Sequence, residues 1–146
     1  MPELNFIAIA VAALVPNILG ALYYGPILGN KWLASLNFSK TDLEGRNEAL
    51  IYGTALALSF VVSFFIKFIV ASLHKDIDGN GELVFASFKT FSHGALHGIG
   101  LAIGLVVPVV ICLGLFQKSK RSNILINSIF WILCFAIMGG ILDVWN

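Results

Sequence analysis

The sequence predicts an all-α integral membrane protein, a four-helix bundle of antiparallel spans in a single domain covering residues 1–146. Three observations predict it. Hydrophobic residues make up 58% of the 146 positions, whereas soluble domains reach about 45–50% even with glycine counted in. Charged residues fall to 12%, against about 25% in an ordinary soluble domain, and mean hydropathy is +0.91. The apolar residues are also gathered into four runs near the length of about 20 residues that a helix needs to cross a ~30 Å hydrocarbon core. A soluble fold of this size has no interior large enough for them, so the expected partner of most side chains is the lipid bilayer.

The first run, residues 5–24, is interrupted only by Pro16 and Asn17. MPELNF lacks a basic leader, and the run leads into Tyr23 and Tyr24 rather than small cleavage-site residues, which predicts a retained span. The connection 25–48 opens GPILGNKW. Its Lys31 and Trp32 suit the headgroup region, so a short interfacial helix is expected there. Thr41 and Glu44 have capping-box spacing, which predicts that the second helix starts near Asp42. The second span, 49–73, carries one charge, Lys67. The third is 94–116 and the fourth 124–144, joined by the short basic stretch QKSKRSN. Backbone polar groups in lipid must pair within their own segment, which makes these runs helices. They are continuous, without the alternation of membrane barrel strands.

Net charge is only +1, so nucleic acid as a partner has no electrostatic basis. Cys112 and Cys134 lie inside apolar stretches and are expected to be packing residues rather than a disulfide. No phosphate loop, nucleophile elbow or CxxC motif occurs, so the chain leans away from an enzyme and no cofactor is expected. Lys31, Lys40, Arg46, Lys118, Lys120 and Arg121 flank one set of span ends, and Lys75 and Lys89 the other. By the positive-inside rule both termini are expected outside the cytoplasm.

DIDGNGEL, residues 76–83, invites comparison with a calcium loop. Counting from Asp76 places Asp78 at position 3, Asn80 at 5 and Gly81 at 6, but Ser87 stands at position 12 where a bidentate glutamate is needed. The flanking segments must run nearly antiparallel, whereas calcium-loop helices cross at a wide angle. Asp78-Gly79 and Asn80-Gly81 are turn dipeptides, and a turn between spans two and three is the expectation.

Ionisable residues inside spans are costly and therefore functional candidates. His93 and His97 are one turn apart. With Gly100, Gly104 and Pro108 they form a stripe at helical spacing, and Gly94 and Gly98 add a second small surface for a neighbouring helix. Asp143 ends the fourth span, Lys67 lies two turns from the end of the second, and Glu3 and Asn5 open the first, all on the same side. His93, His97, Asp143 and Lys67 are thus a candidate polar cluster. Two histidines at i, i+4 are weak metal candidates without a third ligand. The structural alternatives are a cross-helix hydrogen bond for the histidines, a Lys67 stem that snorkels to the interface, and an interfacial charge for Asp143. Asn17 and Asn127 could pair between helices one and four.

LGALYYGPILGNKW at 19–32, HGALHG at 93–98 and ILINSIFWILCFAIMGGILDVW at 124–145 together resemble a bacterial family of small four-span membrane proteins, domain of unknown function 1761. The resemblance runs over nearly the whole chain, and relatives often have Trp where this chain has Tyr23. It implies four spans and a bacterial inner membrane, and brings no catalytic residues with it. The leading expectation is a non-enzymatic component acting through helix packing, as a homo-oligomer. The alternatives are a small transporter or channel, or a metal or proton site built on His93, His97 and Asp143; the small-molecule ligand of any such site is unknown.

Overall fold

The computed structural model describes residues 4–73, 75–85 and 90–145. Glu3, Ser87 and Lys89 lie outside the described residues, as do the side chains of Lys75 and Asp76. The chain is all-α apart from one small hairpin. The segments Phe6–Ile27, Glu48–Val70, Phe91–Phe116 and Arg121–Val144 are each long and apolar enough to cross a membrane.

Helix α1, Phe6–Leu22, starts at Asn5, whose side-chain oxygen accepts from the Ile7 and Ala8 amides at 3.1 Å each. It runs through Pro16 and ends in a π-helical turn, Tyr23–Ile27, kinked at Gly25 ahead of Pro26. A proline cannot donate to the ladder, which loosens the helix at that point. The chain then doubles into the short helix α2, Gly29–Leu36. Gly29 is required by this fold-back: a Cβ there would sit 2.9 Å from the Tyr24 carbonyl oxygen.

The second long helix, α3, is Glu48–Leu73 and does not begin near Asp42. Thr41–Leu43 forms a separate 3₁₀ turn, in which Asp42 accepts from the Ser39 hydroxyl and amide. Those two bonds hold the Asp42 carboxyl below its ordinary value. Gly45 then turns the chain at φ +75, a conformation that ends helical continuity, and the cap falls to Asn47, which accepts from the Leu50 amide at 3.0 Å.

Strands β1, Lys75–Ile77, and β2, Leu83–Phe85, form an antiparallel hairpin, with Asp76 opposite Val84. Asp78 organises its turn. Its carboxylate accepts from the Asn80 and Glu82 amides, and Gly81 takes φ +83. DIDGNGEL is accordingly a hairpin turn whose Asp78 oxygen faces its own backbone.

Helix α4, Phe91–Leu101, is capped by Thr90, and α5, Val107–Phe116, completes the same span. Pro108 has no N–H for the Gly104 carbonyl, and the ladder opens just before it in a π-helical turn, Ala102–Val106. Helix α6, Arg121–Val144, is central, with α1, α3, α4 and α5 all packed on it. Ile9, Ala12, Cys134, Met138 and Leu142 form the buried apolar core.

The bundle has two distinct ends. Asn5 Nδ2 donates to the Trp145 carbonyl at 3.1 Å, so the first and last turns meet; this terminal end also carries the hairpin. At the opposite, basic end Lys120 Nζ donates to the Ala34 carbonyl at 2.7 Å and to Asn37 Oδ1 at 2.6 Å. That cation satisfies the open carbonyl end of α2 and ties the last loop to the first.

Candidate functional site

The site at the terminal end begins with missing side chains. Gly94 and Gly98 lie one turn apart on α4 and face α6. A Cβ on Gly98 would overlap the Phe135 carbonyl, and one on Gly94 would overlap Gly139 and Asp143. Gly139 reciprocates against Gly94, and Gly140 leaves room for the Phe91 ring. Backbone therefore meets backbone, and residues adjacent to the glycines are drawn across the interface.

His93 is one such residue. Its Nδ1 lies 2.9 Å from Asp143 Oδ2, and the Asp143 side chain is only 6% exposed. Its Nε2 lies 3.3 Å from His97 Nε2, and the two rings meet edge-on with centroids 4.6 Å apart. The order is carboxylate, imidazole, imidazole. A carboxylate accepts, so His93 Nδ1 carries a proton in this pair. The Nε2–Nε2 contact then needs one proton between two nitrogens, because two N–H groups would repel. The cluster is thus built to share a proton. His93 is partly exposed and His97 intermediate, so the series leads from a buried carboxylate toward the surface.

Lys67 lies beside it. The side chain is 1% exposed and Nζ donates to the Leu142 carbonyl at 3.0 Å, one residue from Asp143. The stem does not snorkel to the interface: α6 covers it, and its ammonium ends on an acceptor inside the bundle. Asp143 likewise is buried rather than an interfacial charge beside Trp145.

The glycine stripe divides into a packed part and an open part. Gly100 and Gly104 are exposed, nothing lies within 4 Å of a Cβ built on either, and Pro108 is exposed too. At 100° per residue the surface that meets α6, Gly94 and Gly98, is turned about a quarter circle from the histidine stripe. The two asparagines also have other partners. Asn17 Nδ2 donates to the Tyr52 carbonyl on α3 at 3.2 Å, whereas Asn127 accepts from the Tyr24 hydroxyl at 2.8 Å and donates to Asn123 Oδ1 at 3.1 Å. Asn123 continues to Ser35 Oγ at 3.0 Å. The basic end is therefore held by a neutral network joining α1, α2 and α6.

Among the described residues, no three His, Cys, Asp or Glu side chains form a group that could hold a metal ion. Both His93 nitrogens are turned to neighbours, Nδ1 to Asp143 and Nε2 to His97. The chain belongs to the DUF1761 family. The family described as Protein of unknown function (DUF1761) matches residues 7–143, nearly the entire length. No curated protein and no solved structure matches the chain.

Two features escaped the sequence. One is a cavity of about 540 Å³ at the basic end, between α1, α3 and α6, whose lining includes Asn17, Arg46, Tyr52 and Trp131. The other is Ser59 and Ser63 on α3, both buried. Their signal was present as Ser-x-x-x-Ser-x-x-x-Lys, residues 59 to 67, one polar position per turn in an otherwise apolar helix.

Proposed function

We propose that the chain is a non-enzymatic multi-pass membrane component whose working part is the proton-sharing series Asp143–His93–His97. The observation that carries this is the pair of His93 contacts, Nδ1 on a buried carboxylate and Nε2 on a second imidazole. A buried carboxylate at a helix end is a costly way to hold two helices together when glycines already do so. Histidine is the side chain whose ordinary pKa makes it exchange a proton near neutral pH. The bacterial inner membrane is the setting implied by the family resemblance, and the basic end facing the cytoplasm follows from the cation asymmetry.

The test is histidine-selective ¹⁵N spectroscopy of the protein in lipid nanodiscs. The ring signals of His93 and His97 are expected to change together when pH is varied, because one proton lies between their Nε2 atoms. Asp143→Asn should alter the His93 Nδ1 signal, which loses its carboxylate acceptor. Ring signals that stay constant throughout would leave the cluster as packing alone.

A second reading is favoured by the exposed small surface at Gly100 and Gly104, which offers a second copy of the chain a close backbone approach. Homo-oligomerisation through it predicts that Gly100→Leu lowers the assembly mass in detergent while the monomer stays folded; an unchanged mass would rule this face out.

A further inference from the structure

The cavity at the basic end and the ionic cluster at the terminal end are not separate features. Ser59 lines the cavity and is 5% exposed. One turn further along α3, Ser63 is 0% exposed, and its hydroxyl has no hydrogen-bond partner among the described residues. One more turn brings Lys67, buried, with Nζ on the Leu142 carbonyl beside Asp143. Positions i, i+4 and i+8 share a helix face at a rise of about 6 Å per step. Asp143, His93 and His97 extend the same line to the partly exposed terminal end.

Buried hydroxyls without partners are rare, because their loss of water is not repaid. Ser63, with the cavity-lining Ser59 one turn before it and the buried Lys67 ammonium one turn after, is best satisfied by ordered water. A site between two polar groups one turn apart offers a water molecule the several partners it needs. The rest of this level of α3 is Phe, Val and Ile, so the polar line is confined to the inward face.

We propose that this line is a proton path through the bundle, from the cavity at the basic end to His97 at the terminal end. This rests on the reading of Asp143–His93–His97 as a proton-sharing series and gives it a second entrance. A proton taken from cavity water passes along waters held by the Ser59 and Ser63 hydroxyls; each hydroxyl accepts one proton and releases its own. Lys67 Nζ gives up a proton through a bridging water to the Asp143 carboxylate, because its carbonyl acceptor on Leu142 cannot relay one, and regains one from the Ser63 side. Protonated Asp143 then gives its proton to Nδ1 of the His93 Nε2–H tautomer as that Nε2–H passes to His97, which releases one to water; His93 is left with the Nδ1–H that faces Asp143, and its tautomer is reset by exchange with water at its exposed edge. The net change is one proton moved between the two ends, with no other bond altered. The transmembrane proton gradient supplies the driving force. The groups facing the path are Lys67 from α3, Asp143 from α6, and His93 and His97 from α4, with Arg46 and Glu48 lining the cavity.

The test uses the full chain in sealed liposomes containing a pH-sensitive dye, with a potassium diffusion potential imposed by valinomycin. Wild type should acidify or alkalinise the lumen faster than empty liposomes, according to the sign of the potential. Ser63→Val, which puts two methyl groups where the buried hydroxyl stands, should return the rate to that of empty liposomes. Ser63→Thr, which restores a hydroxyl, should recover it. His93 and His97 ring signals should still change together with pH in Ser63→Val, because the proton-sharing series is intact. Flux that persists unchanged in a folded Ser63→Val overturns the path. Absence of flux in wild type, with the ring signals still changing together, overturns the path and leaves the proton-sharing series standing. Rings that do not respond to pH overturn both.

Discussion

The two ends of this bundle are built from the same helices by opposite means. At the terminal end α4 and α6 touch backbone to backbone through Gly94, Gly98 and Gly139, and the polar groups drawn together there are ionisable. At the basic end aromatic side chains hold the helices apart. Tyr24, Trp32 and Phe130 pack at centroid separations near 5 Å, and the polar groups that join α1, α2 and α6 are neutral amides and hydroxyls, with the Lys120 cation tying the loops beyond them. Close approach leaves Asp143 4% exposed; wide spacing leaves a cavity of about 540 Å³. The difference shows what a thin membrane bundle does with its few polar residues. Between the spans, neutral groups join helices where room is available, and ionisable ones meet where glycine brings the backbones together.

The strongest way to break that contrast is to force the tight end open. Gly98→Val places a side chain where the Phe135 carbonyl now sits. Overpacking of this kind typically costs about 1–3 kcal/mol, and because backbone rather than a flexible side chain must yield, the upper part of that range is expected. Thermal unfolding in detergent should show the loss, while Gly104→Val, with nothing within 4 Å, should leave the midpoint near wild type. Equal losses at the two positions would mean that the α4–α6 approach is not what fixes the terminal end.

Next comes the charge. Asp143→Leu removes the acceptor for His93 Nδ1 while keeping an apolar residue in a buried place. Breaking a buried pair on one side costs about 3–5 kcal/mol, but His93 is partly exposed and can turn to water, so about 2 kcal/mol is the expectation. Asp143→Asn keeps a hydrogen-bond acceptor and should lose less. If both variants melt alike, the charge contributes nothing beyond shape.

How much of this contrast could be seen in the sequence depends on what kind of fact each part is. Depth along a helix converts directly from residue number, so the common level of His93, His97 and Asp143 was legible. Direction around a helix is not fixed by spacing alone: a stripe says which residues share a face, not which face meets a neighbour. Spacing therefore groups Gly100 and Gly104 with Gly94 and Gly98, and offers Asn127 to Asn17, whose actual partner is the Tyr52 carbonyl. Lys67 was given an escape to the interface because stem length permits one; only the position of α6 closes it. Ser59 and Ser63 passed unnoticed because a helical serine is cheap wherever water or its own backbone serves it. Their burial is a property of the assembled bundle.

A smaller effect is expected at the basic end. Tyr24→Phe removes the hydroxyl that donates to Asn127 Oδ1 but keeps the ring in its aromatic stack. A single neutral hydrogen bond contributes about 1 kcal/mol, and the space left by one oxygen lies beside an open cavity where water can enter. Stability should therefore fall by about 1 kcal/mol or less, with His93 and His97 ring signals unmoved. A change at the histidines would show that the two ends are energetically linked rather than independently built.

The smallest effect sharpens the boundary of the terminal end. The Asp78 carboxylate accepts from the Glu82 and Asn80 amides, which hold its pKa below the ordinary 3.8. A lowered folded pKa means that the turn gains from the ionised group above the unfolded value and loses that gain as pH falls through the folded one. Acidification below about pH 4 should therefore lower the protection of the Asn80 and Glu82 amides relative to their intrinsic exchange rates, as Asp78→Ala should at neutral pH. Neither change reaches the histidines through any described contact. If exchange in the turn and the ring signals of His93 move together, the hairpin belongs to the ionic cluster; if the turn loosens alone, it is a cover built by its own local bonds.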